Sequence, residues 1–142
     1  MTVELERILK TEKDTIEFAR ELVPKLKIGD VLALYGELGA GKTYFTQQLC
    51  KFLGVTENVS SPSYVLMNEY KGIYHIRHLD LYRLEAEEEL LELGLYDLYD
   101  DAITIIEWPE IAESMLPDNT IHIYFEFVGD YRRVRINNLL SS

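Results

Sequence analysis

Gly36-Glu37-Leu38-Gly39-Ala40-Gly41-Lys42-Thr43 satisfies the phosphate-loop pattern G-x-x-x-x-G-K-[ST]. Backbone N–H groups at the start of a helix cradle phosphate oxygens, and glycines at 36, 39 and 41 let the chain turn with positive φ and approach them closely. In that frame Lys42 reaches the β and γ phosphates and the Thr43 hydroxyl is placed for Mg²⁺. Two acids stand where they could serve the same site. Glu107 ends the apolar run Ala102-Ile103-Thr104-Ile105-Ile106, as a Walker B carboxylate does. Asp80 lies within His78-Leu79-Asp80-Leu81-Tyr82-Arg83, where a predicted strand gives way to an acidic helix. Ser61-Pro62-Ser63 adds hydroxyls in a stretch that Pro62 keeps from being an uninterrupted helix.

A phosphate loop needs a strand to deliver it and a helix to leave from, and both are legible. Residues 31–35 form a short apolar run, predicted as a buried strand. From Lys42 a helix is predicted to about Leu53, with Phe45, Leu49, Phe52 and Leu53 inward and Gly54 as its stop. Upstream, Thr11 or Asp14 can cap a helix carrying Ile16, Ala19, Leu22, Val23 and Leu26, irregular in its last turn because of Pro24. Residues 64–70 and 73–79 flank Lys71-Gly72 as a predicted hairpin, and 120–128 with 132–136 form a second around Gly129-Asp130. Residues 110–115 suit a short helix. The expected fold is a single α/β domain over residues 1–142 with three layers: a mixed, mainly parallel central sheet of phosphate-loop NTPase type, plus antiparallel hairpin strands. The strands ending at Gly36 and Glu107 should be parallel neighbours or nearly so.

Composition narrows the function. Lys plus Arg total 14 against 25 Asp plus Glu, a net charge of −11 that repels a phosphate backbone, so direct nucleic-acid binding by the chain alone is disfavoured. Eight acids lie within residues 85–101 without a basic residue among them, a solvated face or a docking surface for a basic partner. Cys50 is the single cysteine, which excludes an internal disulfide and a cysteine-rich zinc site. No segment approaches the roughly 18 apolar residues of a membrane span and no secretory h-region opens the sequence, so a cytoplasmic protein is expected.

Taken in order, the phosphate loop, Ser61-Pro62-Ser63, His78 to Arg83 and Ile106-Glu107-Trp108 resemble the TsaE (YjeE) family, small bacterial ATPases of threonylcarbamoyladenosine (t6A) synthesis in tRNA. The likeness spans about residues 11–136. It departs at Ser63, where the family usually has threonine, and at Tyr44, Gln47 and Gln48 behind the loop. The resemblance implies Mg²⁺-dependent ATP hydrolysis, slow without partners, acting on a transferase complex of TsaD and its paralogue TsaB. It implies an ATP site built from residues 36–44 and Ser63, with Lys42, Asp80 and Glu107 as the catalytic groups. Thr43, Glu107 and Asp80 would serve the metal, and which carboxylate lies nearer to it is left open. A small-molecule or nucleoside kinase is the competing reading, but the sequence shows no arginine-rich lid.

Overall fold

The apolar run at 31–35 is a strand because both of its faces are covered. Val31, Leu32, Ala33 and Leu34 are fully buried, with Val31 in one apolar cluster and Leu32 and Leu34 in a separate one. The computed structural model describes residues 2–37, 39–62 and 66–140, with side chains for 4–37, 39–62 and 66–138. Its elements are β1 (Thr2–Leu9), α1 (Glu12–Leu22), β2 (Val31–Tyr35), α2 (Lys42–Phe52), β3 (Met67–Lys71), β4 (His75–Asp80), α3 (Glu87–Leu93), β5 (Ile103–Glu107), β6 (Ile121–Val128) and β7 (Tyr131–Leu140). Three 3₁₀ segments, Val23–Lys25, Leu95–Leu98 and Pro109–Met115, complete it.

One seven-stranded sheet runs β1-β7-β6-β2-β5-β4-β3. Its centre, β6-β2-β5-β4, is parallel, and antiparallel pairs close both edges. This is the expected mixed sheet, with β2 and β5 direct parallel neighbours. Leu32 and Leu34 of β2 and Ile103 and Ile105 of β5 join Phe18, Ala19, Leu22, Phe45 and Leu49 from α1 and α2 in one cluster. On the opposite face Val31 and Ile106 pack with Leu90, Leu95, Tyr99, Ala112 and Met115, which makes the third layer.

Both helices that flank the loop start where local chemistry dictates. Thr11 caps α1 in a capping box: its side chain accepts from Asp14 N, while Asp14 Oδ2 accepts from Thr11 N at 3.2 Å. Helix α1 ends in the 3₁₀ turn that contains Pro24. Helix α2 stops at Leu53, with Gly54 at φ 87°.

Three features differ from expectation. Residues 2–9 form an edge strand on β7 that was not anticipated, because Glu4, Glu6 and Arg7 mask its alternation. The first hairpin turns at 72–74 rather than at Lys71-Gly72, since Lys71 still pairs with His75. Gly72 there lies against α2, where an added Cβ would meet Leu53 O at 2.2 Å. The segment at 109–115 is 3₁₀ rather than α-helical. No helix among the described residues is long and apolar enough to cross a membrane.

Candidate nucleotide site

Strand β2 releases the chain into a loop whose glycines all have positive φ: Gly36 at 146°, Gly39 at 81° and Gly41 at 105°. Two have physical reasons. At Gly36 a Cβ would lie 2.6 Å from Phe125 O of β6, so only hydrogen fits between the loop and that strand. Gly41 is the N-cap of α2 in the left-handed region and offers no side chain to the first-turn amides. Neither a side-chain cap nor a first-turn acid occupies that helix end. The N–H groups of α2 thus face the cavity with the positive end of the helix dipole, a ready site for phosphate.

Lys42 is buried, with Nζ donating to Gly36 O at 2.5 Å and lying 3.5 Å from the centroid of the Trp108 ring. Burial pushes its pKa below the ordinary lysine value, opposed by Glu107, Glu110 and Asp80. Trp108 is itself in the left-handed region, φ 55°, which turns the chain sharply after β5. Tyr82 tilts against it with centroids 4.8 Å apart.

The parallel register of β2, β5 and β4 places Leu34, Glu107 and Asp80 in one row beside the loop. Both acids are almost wholly buried. Thr43 Oγ1 donates to Glu107 Oε1 at 3.1 Å, and the other carboxylate oxygen, Oε2, lies 2.6 Å from His78 Nε2. His78 is fully buried; since a carboxylate oxygen only accepts, Nε2–H is the donor to Glu107, and Nδ1 has no partner among the described residues. Asp80 is held differently: Ser61 Oγ donates to Oδ2 at 2.8 Å and Tyr82 N to Oδ1 at 3.0 Å.

These groups line one cavity of about 720 Å³. Ser61, Asp80, Tyr82, Glu107 and Trp108 line it with Lys42 and Thr43, as do Thr11, Tyr44 and Arg132. Among the described residues no three His, Cys, Asp or Glu side chains converge to hold a metal. A threonine hydroxyl beside one or two carboxylates, with phosphate and water completing the shell, is instead the sparse oxygen set that Mg²⁺ takes.

The comparisons with known proteins bear on this cavity. The profile of the family described as "Threonylcarbamoyl adenosine biosynthesis protein TsaE" matches residues 9–134. The chain belongs to the TsaE family. It is 37% identical over 129 residues to the tRNA threonylcarbamoyladenosine biosynthesis protein TsaE of Rickettsia bellii, covering 89% of this chain and 90% of that protein. To the protein of the same name from Borreliella burgdorferi it is 40% identical over 132 residues, covering 90% and 96%. The crystal structure of Bacillus subtilis YdiB superposes with a TM-score of 0.80 at 28% identity, over 99% of this chain and 88% of that one. Family and fold are therefore those expected from the motifs.

Of the site residues expected from sequence, Gly36, Glu37, Gly39, Ala40, Gly41, Lys42, Thr43 and Tyr44 form the loop and the start of α2. Thr43, Asp80 and Glu107 converge beside it. Leu38 and Ser63 lie outside the described residues. Glu37 is exposed, with its carbonyl accepting from Ala40 N at 3.1 Å, while Ala40 is buried. The wall from β1, the start of α1 and Arg132 carries no motif in the sequence. The capping signal at Thr11 was the only local hint that this corner is ordered.

Proposed function

We propose that the chain binds ATP with Mg²⁺ across residues 36–43 and hydrolyses it, as a subunit of the machinery that makes threonylcarbamoyladenosine in tRNA, acting on the TsaD–TsaB complex. The observation that carries this reading is the hydrogen bond from Thr43 to Glu107, with Asp80 in register next to Glu107, at the mouth of a phosphate-binding helix end. The names of the relatives, all tRNA threonylcarbamoyladenosine biosynthesis proteins, support the pathway. The net charge of −11 supports a division of labour in which the partners supply the basic tRNA surface.

Lys42 exchanges the Gly36 carbonyl and the Trp108 face for β- and γ-phosphate oxygens. Thr43 and Glu107 would hold the metal. When bound, Mg²⁺ neutralises charge on the phosphate chain and orients it for in-line attack. His78 fixes Glu107 by its second oxygen, so that Oε1 stays turned towards Thr43. Asp80, tied to Ser61, orients the attacking water and can accept its proton. Because Ser61 is hydrogen-bonded to Asp80, a change of contacts at the γ-phosphate reaches Ser61 and Pro62 through Asp80.

Reconstitution tests this role. With tRNA, the transferase proteins and substrates present, modification should proceed beyond one round only when the wild-type chain and ATP are added. Lys42→Ala should support no more than a reaction lacking the chain. Equal multiple-turnover yield with Lys42→Ala would overturn the assignment.

A further inference from the structure

The two acids are tied to helix α2 at two levels. Thr43, in the first turn of that helix, donates to Glu107 at 3.1 Å. Gln47 stands four residues further on, and therefore on the same face of the helix. Its Nε2 donates to Val59 O at 2.9 Å. A carbonyl oxygen only accepts, which sets the orientation of the amide.

Residues 59–62 belong to no helix or strand, so no ladder of backbone bonds holds them. Val59 is buried in the apolar cluster beneath α1 and α2, and Pro62 is buried, whereas Ser60 and Ser61 between them are exposed. Burial fixes the two ends of this stretch, and hydrogen bonds must fix its middle. From β3, Asn68 Nδ2 donates to Ser60 O at 3.3 Å, and the Tyr70 hydroxyl accepts from Ser60 N at 3.4 Å. Both lie beyond the usual range for such bonds, whereas the bond from Gln47 lies within it. From the other side Ser61 Oγ donates to Asp80 Oδ2 at 2.8 Å. One line of contacts thus runs from α2 through Gln47, Val59 and Ser61 to Asp80, which pairs in register with Glu107. Gln47 itself does not line the nucleotide cavity, so it reaches the site through the stretch it holds.

We propose that Gln47 is a positioning residue for hydrolysis: by holding the Val59 carbonyl it keeps Ser61 against Asp80, and so keeps Asp80 aimed at the attacking water. The same helix thereby sets both acids, Glu107 directly through Thr43 and Asp80 indirectly through Gln47. The proposal rests on the ATP-site reading above and deepens it. It also gives a use to Gln47, one of the residues behind the loop at which the sequence departs from the family pattern.

Two measurements on the full-length chain test this: phosphate release from ATP with Mg²⁺ and the transferase partners, and calorimetric titration with Mg²⁺ and a non-hydrolysable ATP analogue. Gln47→Met keeps the length of the side chain and loses the donor; Gln47→Glu also sets a carboxylate oxygen against Val59 O. Gln47→Met should lower kcat about tenfold, part of the about 10² to 10⁴-fold that a well-aimed base contributes. Gln47→Glu should lose at least as much. Affinity for the analogue should stay within about twofold of wild type in both, because the phosphate contacts are untouched. In a Ser61→Ala protein, where the link to Asp80 is already cut, Gln47→Met should lower kcat no further. Unchanged kcat in Gln47→Met and Gln47→Glu would overturn the proposal. So would a loss of affinity as large as the loss of kcat, which would mean that Gln47 only steadies the phosphate-binding helix, or the full loss of kcat repeated in the Ser61→Ala protein. Lys42→Ala is the separate control: if it releases phosphate as the wild type does, the ATP-site reading itself fails, whatever Gln47 does. The stoichiometry of the titration reports that each Gln47 variant is folded.

Discussion

Replacing His78 by alanine should expose how the acid row is built. The imidazole, on β4 between β3 and β5, is fully buried, and its Nε2 lies 2.6 Å from Glu107 Oε2. Alanine removes the ring's packing and leaves a buried carboxylate oxygen without its donor. An orphaned buried polar group costs about 1–3 kcal/mol, and a truncated buried side chain adds to that, so a loss of about 2–4 kcal/mol is expected. For a chain of 142 residues that corresponds to a fall in Tm of about 6–12 °C. Glu107→Gln is the matched comparison, because its amide oxygen still accepts from Nε2–H and its shape is unchanged. It should cost no more than about 1 kcal/mol, the difference between a charged and a neutral acceptor. Scanning calorimetry of the nucleotide-free proteins reads both. The same Glu107→Gln protein should lose the gain in ATP affinity that Mg²⁺ confers on the wild type, because an amide is a poor ligand for a hard cation. If His78→Ala melts within about 2 °C of wild type, or if Glu107→Gln melts as low as His78→Ala, the hydrogen-bonded row from Thr43 through Glu107 to His78 is not what orders this site.

Three further outcomes follow from the packing. Gly36→Ala places a Cβ 2.6 Å from Phe125 O at φ 146° and Gly72→Ala places one 2.2 Å from Leu53 O, so both should melt well below wild type in the same scans. Gly129→Ala meets nothing within 4 Å and should cost only the about 1 kcal/mol of its left-handed φ. Trp108 is the single tryptophan and its ring lies 3.5 Å from Lys42 Nζ, so drawing the ammonium onto phosphate should change its emission. Titration with MgATP should show that change in the wild type and not in Lys42→Ala. Cys50 is buried and its thiol is pushed up to about 12 from 9.0, so stability linked to it is complete below pH 9 and is lost as the pH rises from there towards 12. Over that window the wild type should lose stability relative to Cys50→Ala by at most about 1.4 kcal/mol per pH unit, measured by urea unfolding. Thiol alkylation at pH 8 should be negligible until urea is added.

The parts of this protein that chemistry writes locally were legible in its sequence. The phosphate loop, the Gly54 stop, the Thr11 cap and the acid at the end of residues 103–107 each depend on a few adjacent residues, and each stands where expected. Asp80 could be singled out by its place at a strand end, but its pairing in register with Glu107 is a property of the sheet. The cavity wall beside α1 was illegible for the same reason: Leu9 and Arg132 meet only because β1 and β7 pair from opposite ends of the chain. Strand β1 was missed because Glu6 and Arg7 sit in an edge strand with one side open to water, where polar residues cost little. The turn at 72–74 is set by α2 pressing on Gly72, which no hairpin rule contains.

The central claim is that Lys42, Thr43, Asp80 and Glu107 form one Mg²⁺-dependent hydrolytic site. It is tested most directly by phosphate release from ATP, with and without the transferase partners, for wild type, Lys42→Ala, Asp80→Ala and Glu107→Ala. Wild type should turn over with Mg²⁺, faster when the partners are present, and each variant should fall by at least about a hundredfold, as expected for loss of a group acting on the transition state. Equal phosphate release by wild type and Lys42→Ala in every mixture would contradict it.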